Sequence, residues 1–345
     1  MDITRNERSG VTVVAVSGRI DGLTGPELEA ALTDAMPAGG ALVLDLAGSD
    51  YVSSAGLRVV LKGGRGAKQA GTSFALAGLH PQVREVFDVS GFSTLFPIHA
   101  DADAAVAALA TGDDRAAPAA PATAPAAPIG SLPTLLEEVM LLCIDEDGGA
   151  LRPLARSVYD QLAAGAVLME LALAGRVDSD LKRISVVNPQ PTGEPLLDGV
   201  LARLAELGTG TPLDWTFEVA GQGPELRAAA LDRLIQRGII RREEGRILWI
   251  FRDRRYPIVD GRERREVRAR LRDLLLGDDI PDPRDVVLVG LVNIAGLFGT
   301  LLTPAELRAA EPRIVQIRKM DLIGQEVDRS VAGIEAAIAG VMGPM

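Results

Sequence analysis

Short apolar runs and amphipathic stretches alternate along the first 110 positions of the chain. Val11–Val16 and Ala41–Leu46 read as strands, the second apolar at nearly every position and so buried on both faces; Ser73–Leu76 reads as a third. Between and after them, Glu27–Ala35, Leu57–Gln69 and Pro81–Val89 carry apolar residues at helical spacing, the last beginning at proline. Asp101–Leu109 adds a short helix. The alternation predicts an α/β domain, a sheet with packed helices, over residues 1–112.

The pattern then stops. Residues 113–130 form a linker, and from Ala116 to Gly130 it is Ala/Pro-rich, without a charge and without a large apolar residue before Ile129. It has too little to bury to fold, and its prolines favour an extended spacer of about 45 Å. Residues 131–345 resume with a helical period and predict a mainly α domain with one β-hairpin. Helices are expected at Thr134–Ile144, with Glu137 and Glu138 in its first turns, and around Gly165–Ala174, apolar on nearly every side except Glu170. Others fit Glu225–Arg237 with Gly238 closing it, Arg262–Leu276, Val286–Leu302, Pro304–Ala310 and Ile314–Ile323. Ile239–Arg241 and Arg246–Phe251 flank Arg242-Glu243-Glu244-Gly245 as a hairpin with a glycine-containing turn.

Composition narrows the function classes. The net charge of −11 and pI of about 4.9 argue against nucleic-acid binding driven by charge. One cysteine, Cys143, sits in an apolar run and reads as a buried hydrophobe, so no internal disulfide and no Cys-rich metal site can form. His80 and His99 lack ligand spacing; no metal and no cofactor is expected. Val286–Leu302, about 17 residues, is at the lower limit for a bilayer span, but Asn293 and three glycines favour a buried helix. No basic-then-apolar start is present, and a cytoplasmic protein is expected, in part peripheral at the inner face of the membrane.

The chemistry concentrates at residues 50–61, where Ser53 and Ser54 stand between the buried strand and the helix bearing Leu57, Val60 and Leu61. A serine there can cap free backbone N–H groups, and a phosphate there would meet the positive end of the helix dipole. Three stretches, SGRID at 17–21, LVLDLAGSDYVSSAGLRVVL at 42–61 and PQVREVFDVSGFSTLFPI at 81–98, resemble a STAS domain of the anti-sigma factor antagonist family. The resemblance implies a loop phosphorylated by an anti-sigma-type serine kinase and cleared by a cognate phosphatase. Anchored on Gly56-Leu57, the phosphoacceptor that the resemblance implies is Ser54; the chain departs from the family in having Ser53 where Asp often precedes the acceptor, and Ser53 is the fallback. Asp21 is the acidic neighbour, and Asp50 and Gly56 complete the switch loop.

The second domain is similar to the Golgi phosphoprotein 3 family, through LPTLLEEVMLLCIDEDGG at 132–149, VLMELALAGRV at 167–177, PTGEPLLDGVLARL at 191–204 and LDRLIQRGIIRREEGRILWIF at 231–251. That family implies peripheral binding to phosphatidylinositol 4-phosphate membranes through a basic pocket and an exposed hairpin. Of the pocket residues only Arg227 is matched; the others fall on Ala155 or Tyr159, Ala164 and Pro224. From Arg227 to Asp273, however, fifteen arginines face eight acidic residues. Arg227, Arg237, Arg241, Arg242, Arg246, Arg252, Arg254 and Arg255, with Trp249 and Phe251, are therefore the candidate contacts to an anionic lipid surface or a protein partner. The alternative is that these arginines pair with neighbouring acids on the surface. Oligomerisation through the apolar hairpin is left open.

Three functions compete. A non-enzymatic regulatory adaptor, switched at Ser54 and docking through its second domain, accounts for both halves. A transcriptional regulator would use 225–255 as a winged helix on DNA phosphates. An enzyme has least support: Lys62-Gly-Gly-Arg-Gly66 lacks the spacing of a phosphate loop, and Ser54 has only Asp21 and Asp50 near it as bases.

Overall fold

The structure is a computed structural model that describes residues 1–111, 133–146, 148–180, 182–247, 251–321 and 325; the 113–130 linker lies outside the described residues, as does Trp249. The first domain holds five strands, β1 (Asp2–Arg8), β2 (Val11–Ser17), β3 (Ala41–Gly48), β4 (Ser73–Ala77) and β5 (Ile98–His99), ordered 1-2-3-4-5 in one sheet. β1 runs antiparallel to β2 and the other neighbours are parallel. The polar, largely exposed β1 carries no apolar period, which is why periodicity alone passes over it.

Period-two alternation sorts the strand side chains. Val14, Val16, Leu42, Leu44, Leu46, Phe74 and Leu76 face a layer made by α1 (Gly25–Ala35), α2 (Ser54–Gln69) and α3 (Pro81–Val89). Val11, Val13, Ala41, Val43, Ala75 and Ala77 face the opposite side, which α4 (Ala102–Thr111) covers with Ala102, Ala105, Val106 and Leu109. The sheet is buried on both faces, which fits the nearly continuous apolar run of β3, interrupted by Asp45. α2 begins at Ser54, three residues before the Leu57 start that the apolar period suggests, so Ser53 is its N-cap and Ser54 its first residue.

The second domain packs α5 (Leu135–Leu142) and α6 (Arg156–Leu173) centrally. β6 (Val177–Ser179) and β7 (Ile184–Val186) follow as a small antiparallel pair, then α7 (Pro195–Leu207), α8 (Pro212–Ala220) and α9 (Gly223–Gln236). A hairpin of β8 (Glu243–Ile247) and β9 (Phe251–Arg255) precedes α10 (Arg262–Leu276), α11 (Pro283–Ile294), α12 (Phe298–Leu301) and α13 (Pro304–Arg318). Thr134 and Glu137 form a reciprocal capping box on α5, as Thr303 and Glu306 do on α13. Glu137 and Glu138, in the first turns of α5, are both buried. Glu138 lies 3.2 Å from both Arg270 and Arg284, and Arg284 continues to Glu170 at 2.7 Å.

Three expectations need correction. Residues 242–245 do not make the hairpin turn: 243–247 is itself a strand, in register with 251–255. The segment Val286–Leu302 is not one helix, because α11 ends at Ile294 and Gly296 takes φ +60, the left-handed geometry that closes a helix. None of the described helices is long and apolar enough to cross a membrane. Conversely, Pro304–Ala310 and Ile314–Ile323 are not separated at Pro312; α13 runs through it to Arg318, held by buried Ala310, Ile314 and Ile317. Proline removes one backbone bond, and burial of that face against α10 and α11 outweighs it.

Candidate functional site: the α2 N-terminus beneath β6

Two loops of the first domain build the site. The chain leaves β3 and returns to α2 through residues 49–53, and the Ile20 and Val52 backbones bridge this connection to the end of β2. Ser53 N–H donates to Ile20 O at 2.9 Å, which fixes the helix start. A Cβ on Gly56 would lie 2.7 Å from Ile20 O and from Val52 Cγ2, so only glycine permits this close approach. On the neighbouring loop the Asp21 carboxylate accepts from the backbone of Leu23 and Thr24, shaping residues 19–24. Asp50 is exposed on the β3–α2 connection.

The second domain closes over these loops. Ser54 is only 5% exposed, and its Oγ donates to Asp178 Oδ1 at 3.1 Å. The same carboxylate oxygen accepts from Ala55 N–H at 3.0 Å, and Asp178 Oδ2 accepts from Gly22 N–H at 2.6 Å. Asp178 is 6% exposed, so this is a buried carboxylate seated on the free N–H groups of α2's first turn. Ser179 adds its hydroxyl 3.1 Å from Ser54 Oγ. Arg58, one turn into α2, reaches Ser54 Oγ at 3.4 Å and donates to Ala172 O at 3.0 Å. Burial pulls the pKa of Arg58 down, and Asp178 and Asp321 oppose the shift.

Beside this contact lies a cleft of about 470 Å³ between the domains, lined in part by Arg19, Asp21, Tyr51, Asp180 and Arg183. The Tyr51 hydroxyl donates to Asp180 at 3.0 Å while Arg19 stacks on its ring at 3.5 Å. Burial, with Asp180 adding to it, raises the Tyr51 pKa to about 12. Lys68 with Asp279 and Arg65 with Asp282 fringe the same face at 2.9 and 3.5 Å.

Of the residues singled out in sequence, Ser53, Ser54, Asp21 and Gly56 are thus brought together. Ser53, 1% exposed, has its hydroxyl turned to Gly56 N–H as a cap. Asp178, Ser179, Tyr51 and Arg58 were not singled out. Tyr51 and Arg58 lie inside the motif itself, whereas Asp178 is 124 residues away from Ser54 and carries no local signal.

The basic segment is dispersed among partners. Arg227 lies 3.0 Å from Asp160 and over the Tyr159 ring, Arg237 is 3.9 Å from the buried Glu137, and Arg241 is 2.7 Å from Glu243. Arg242 pairs with Asp232. Arg233, on the same helix α9, is held by Glu137 and Glu194. The helix of the winged-helix reading therefore spends its arginines inside the domain. Strand register sets Arg246 opposite Arg252, Ile247 opposite Phe251, Glu244 opposite Arg254 and Glu243 opposite Arg255. Lys62-Gly-Gly-Arg-Gly66 lies within α2, where Gly64 makes room for the Phe96 ring and Gly63 for Leu32. Packing, not phosphate, explains those glycines. Among the described residues no cluster of His, Cys, Asp and Glu is arranged to hold a metal ion.

Comparison with known proteins matches the two halves separately. A family model described as Mlab, STAS domain covers residues 3–97, and one described as Golgi phosphoprotein 3 (GPP34) covers residues 135–334. A putative anti-sigma factor antagonist, BtrV of Bordetella bronchiseptica, is 38% identical over 116 residues, 33% of this chain and 100% of that protein. Vacuolar protein sorting-associated protein 74 of Eremothecium gossypii is 28% identical over 176 residues, 45% of this chain but only 51% of the relative. A solved anti-sigma factor antagonist from Mycobacterium paratuberculosis aligns at 30% identity over 31% of this chain and 92% of that one, with a TM-score of 0.29. The chain belongs to the Golgi phosphoprotein 3 family through residues 135–334 and carries, ahead of that domain, a STAS domain homologous to anti-sigma factor antagonists.

Proposed function

We propose that the protein is a non-enzymatic adaptor whose STAS domain is switched by phosphorylation of Ser54. A serine kinase of the anti-sigma type transfers the γ-phosphoryl group of ATP to Ser54 Oγ; ADP leaves, and the hydroxyl proton passes to a base of the kinase. A phosphatase returns the serine and inorganic phosphate. The observation that carries this reading is the position of Ser54 as the first residue of α2, with Ala55 N–H and Arg58 directed to the same point. Free N–H groups and a guanidinium are the groups that hold an added phosphoryl charge of about −1.5 to −2. The full-length match to a relative described as a putative anti-sigma factor antagonist supports an anti-sigma factor as the protein partner.

The second domain supplies the output at an anionic membrane surface or on a protein partner. The exposed Arg241, Arg242 and Arg254 and the hairpin they flank are the surface for it. Each basic group near such a surface contributes on the order of 1 kcal/mol, less where an acid already pairs with it.

Peptide mass spectrometry on protein isolated from its native host tests the switch. Phosphate on Ser54, with capture of an anti-sigma factor by the unmodified but not the modified chain, is the expected result. Absence of modification on Ser53 and Ser54 under growth and stress would remove the kinase from the account. Cosedimentation with phosphatidylserine vesicles, weakened by Arg241→Glu and Arg242→Glu, tests the output arm.

A further inference from the structure

The switch surface of the STAS domain is already occupied. We infer that the GPP34 domain is the resident partner of that surface. Asp178 stands where the phosphoryl group of a modified Ser54 would be held, so closure of the two domains and phosphorylation exclude each other. This rests on Ser54 being the phosphoacceptor, and it adds what the modification acts against.

Chemistry and position argue for it together. Asp178 brings one negative charge to the first turn of α2 and engages three donors there: the Ser54 hydroxyl, Ala55 N–H and Gly22 N–H. A phosphoryl group on Ser54 Oγ is built onto the atom that now donates to Asp178, and it converts that donor into an acceptor carrying negative charge. Its oxygens would claim Ala55 N–H and Arg58, leaving the Asp178 carboxylate facing the added negative charge at hydrogen-bonding distance in a largely buried site at the edge of the cleft. Like charges at such separations in a partly buried site disfavour the closed form by on the order of a hundredfold or more.

The fit is steric as well as electrostatic. A Cβ on Gly22 would come to 3.0 Å from Val187 Cγ2 and 3.3 Å from Asp178, so the 19–24 loop lies flush against the strand pair β6 and β7. Tyr51 and Asp180 close one side of the contact, and Arg58 bonding to Ala172 O ties α2 to the end of α6. Farther along, Gln316 on α13 donates to Thr94. With Ser54 5% exposed, a kinase cannot reach its hydroxyl in this arrangement. A kinase or anti-sigma partner and the GPP34 domain therefore compete for one surface, and the open form is the one that is modified.

The full chain carrying phosphoserine at position 54, installed during translation, tests this without any kinase. Hydrogen–deuterium exchange at 19–24, 54–58 and 177–186, with small-angle scattering, reads the contact. The expected result is exchange faster by about tenfold or more at these segments and a larger radius of gyration, with β3 and α6 unchanged. Asp178→Ala, unmodified, should open the same segments. Unchanged protection and radius in the phosphoserine chain would overturn the exclusion, and closure surviving in Asp178→Ala would overturn the role of the carboxylate. Neither result depends on whether the host phosphorylates Ser54, which the mass spectrometry decides separately.

Discussion

Asp178 and Ser54 face each other across the two domains, Oδ1 to Oγ at 3.1 Å, with both side chains almost wholly buried. The two ends of this bond differ in what they hold. Asp178 accepts from three donors across the interface, besides the N–H of its neighbour Ser179, whereas Ser54 supplies one of the three. Ser54→Ala should therefore leave the domains closed, weakening closure by about 0.5–1.5 kcal/mol, while Asp178→Ala should weaken it by about 2–4 kcal/mol. Exchange protection of Gly22 and Ala55 amides in the two variants measures the difference, and equal effects would contradict the geometry.

The fringe of the interface should behave in the opposite way. Lys68 meets Asp278 and Asp279 at 4.0 and 2.9 Å, but these acids are largely in solvent. Lys68→Ala should change closure by no more than about 1 kcal/mol, and its effect should vanish on raising salt from about 0.05 to 0.5 M. A salt-sensitive loss of the Asp178 contact itself would mean that the fringe, not the buried carboxylate, holds the domains together.

Gly64 tests the reading of the Lys62–Gly66 run as packing. A Cβ there would come to 2.2 Å from the Phe96 ring, which is itself packed edge-on to Phe74 at 5.4 Å. Gly64→Ala gains helix propensity yet should destabilise the STAS domain by about 1–3 kcal/mol, because the ring is hemmed in. Thermal unfolding of residues 1–112 or of the full chain reads this. The paired change Gly64→Ala with Phe96→Leu should recover part of the loss.

These residues also mark how far sequence carries. Strands 11–16, 41–46 and 73–76 and helices 81–89 and 262–276 were legible because burial on one or both faces leaves a period in the chain. The helix start at Ser53 and Ser54 was legible because a helix that follows a buried strand is a local event. Asp178 was not, since a polar residue that meets its partner 124 positions away has no period and no neighbour to announce it. The hairpin turn was misplaced because Arg242-Glu243-Glu244-Gly245 has turn composition, whereas the strand pairing follows the register 243–247 with 251–255. Glu137 and Glu138 were legible only as acids in the first turns of a helix, and tertiary packing shows them as the centre of a buried ion network.

Acid titration isolates the capping box of α13. Glu306 accepts from Thr303 N–H at 2.9 Å and pairs with Arg272, and the backbone bond, with those two groups adding to it, lowers its pKa from 4.5 to about 2. An acid whose folded pKa lies below its unfolded value stabilises the fold above the unfolded pKa, and that stabilisation is lost as pH falls through the folded pKa. Wild type should thus exceed Glu306→Gln in urea midpoint at neutral pH. The two should converge as pH drops from 4.5 towards 2. A constant gap across that window would place the effect of the substitution in packing rather than ionisation.

The buried network of the GPP34 domain should be its most sensitive point. Glu138, 5% exposed, holds Arg270 and Arg284, each at 3.2 Å; Arg270 also holds Asp285 at 2.6 Å, and Arg284 holds Glu170 at 2.7 Å. Burial raises the Glu138 pKa, and the charges of Arg284 and Arg270 oppose the shift. Removing it with Glu138→Ala leaves two guanidinium groups short of a partner and should cost about 3–5 kcal/mol, which lowers the Tm of a domain of this size by roughly 10 °C. Glu138→Gln keeps the shape and one acceptor, and should cost less. Because α11 also touches α2 of the STAS domain, looser packing around Arg284 should reach the interface as well. In Glu138→Ala at a temperature where the domain is still folded, exchange at 177–186 should therefore rise along with that at α11. Loss of stability with no change at 177–186 would show that the Asp178 contact is held by the strand pair β6 and β7 alone.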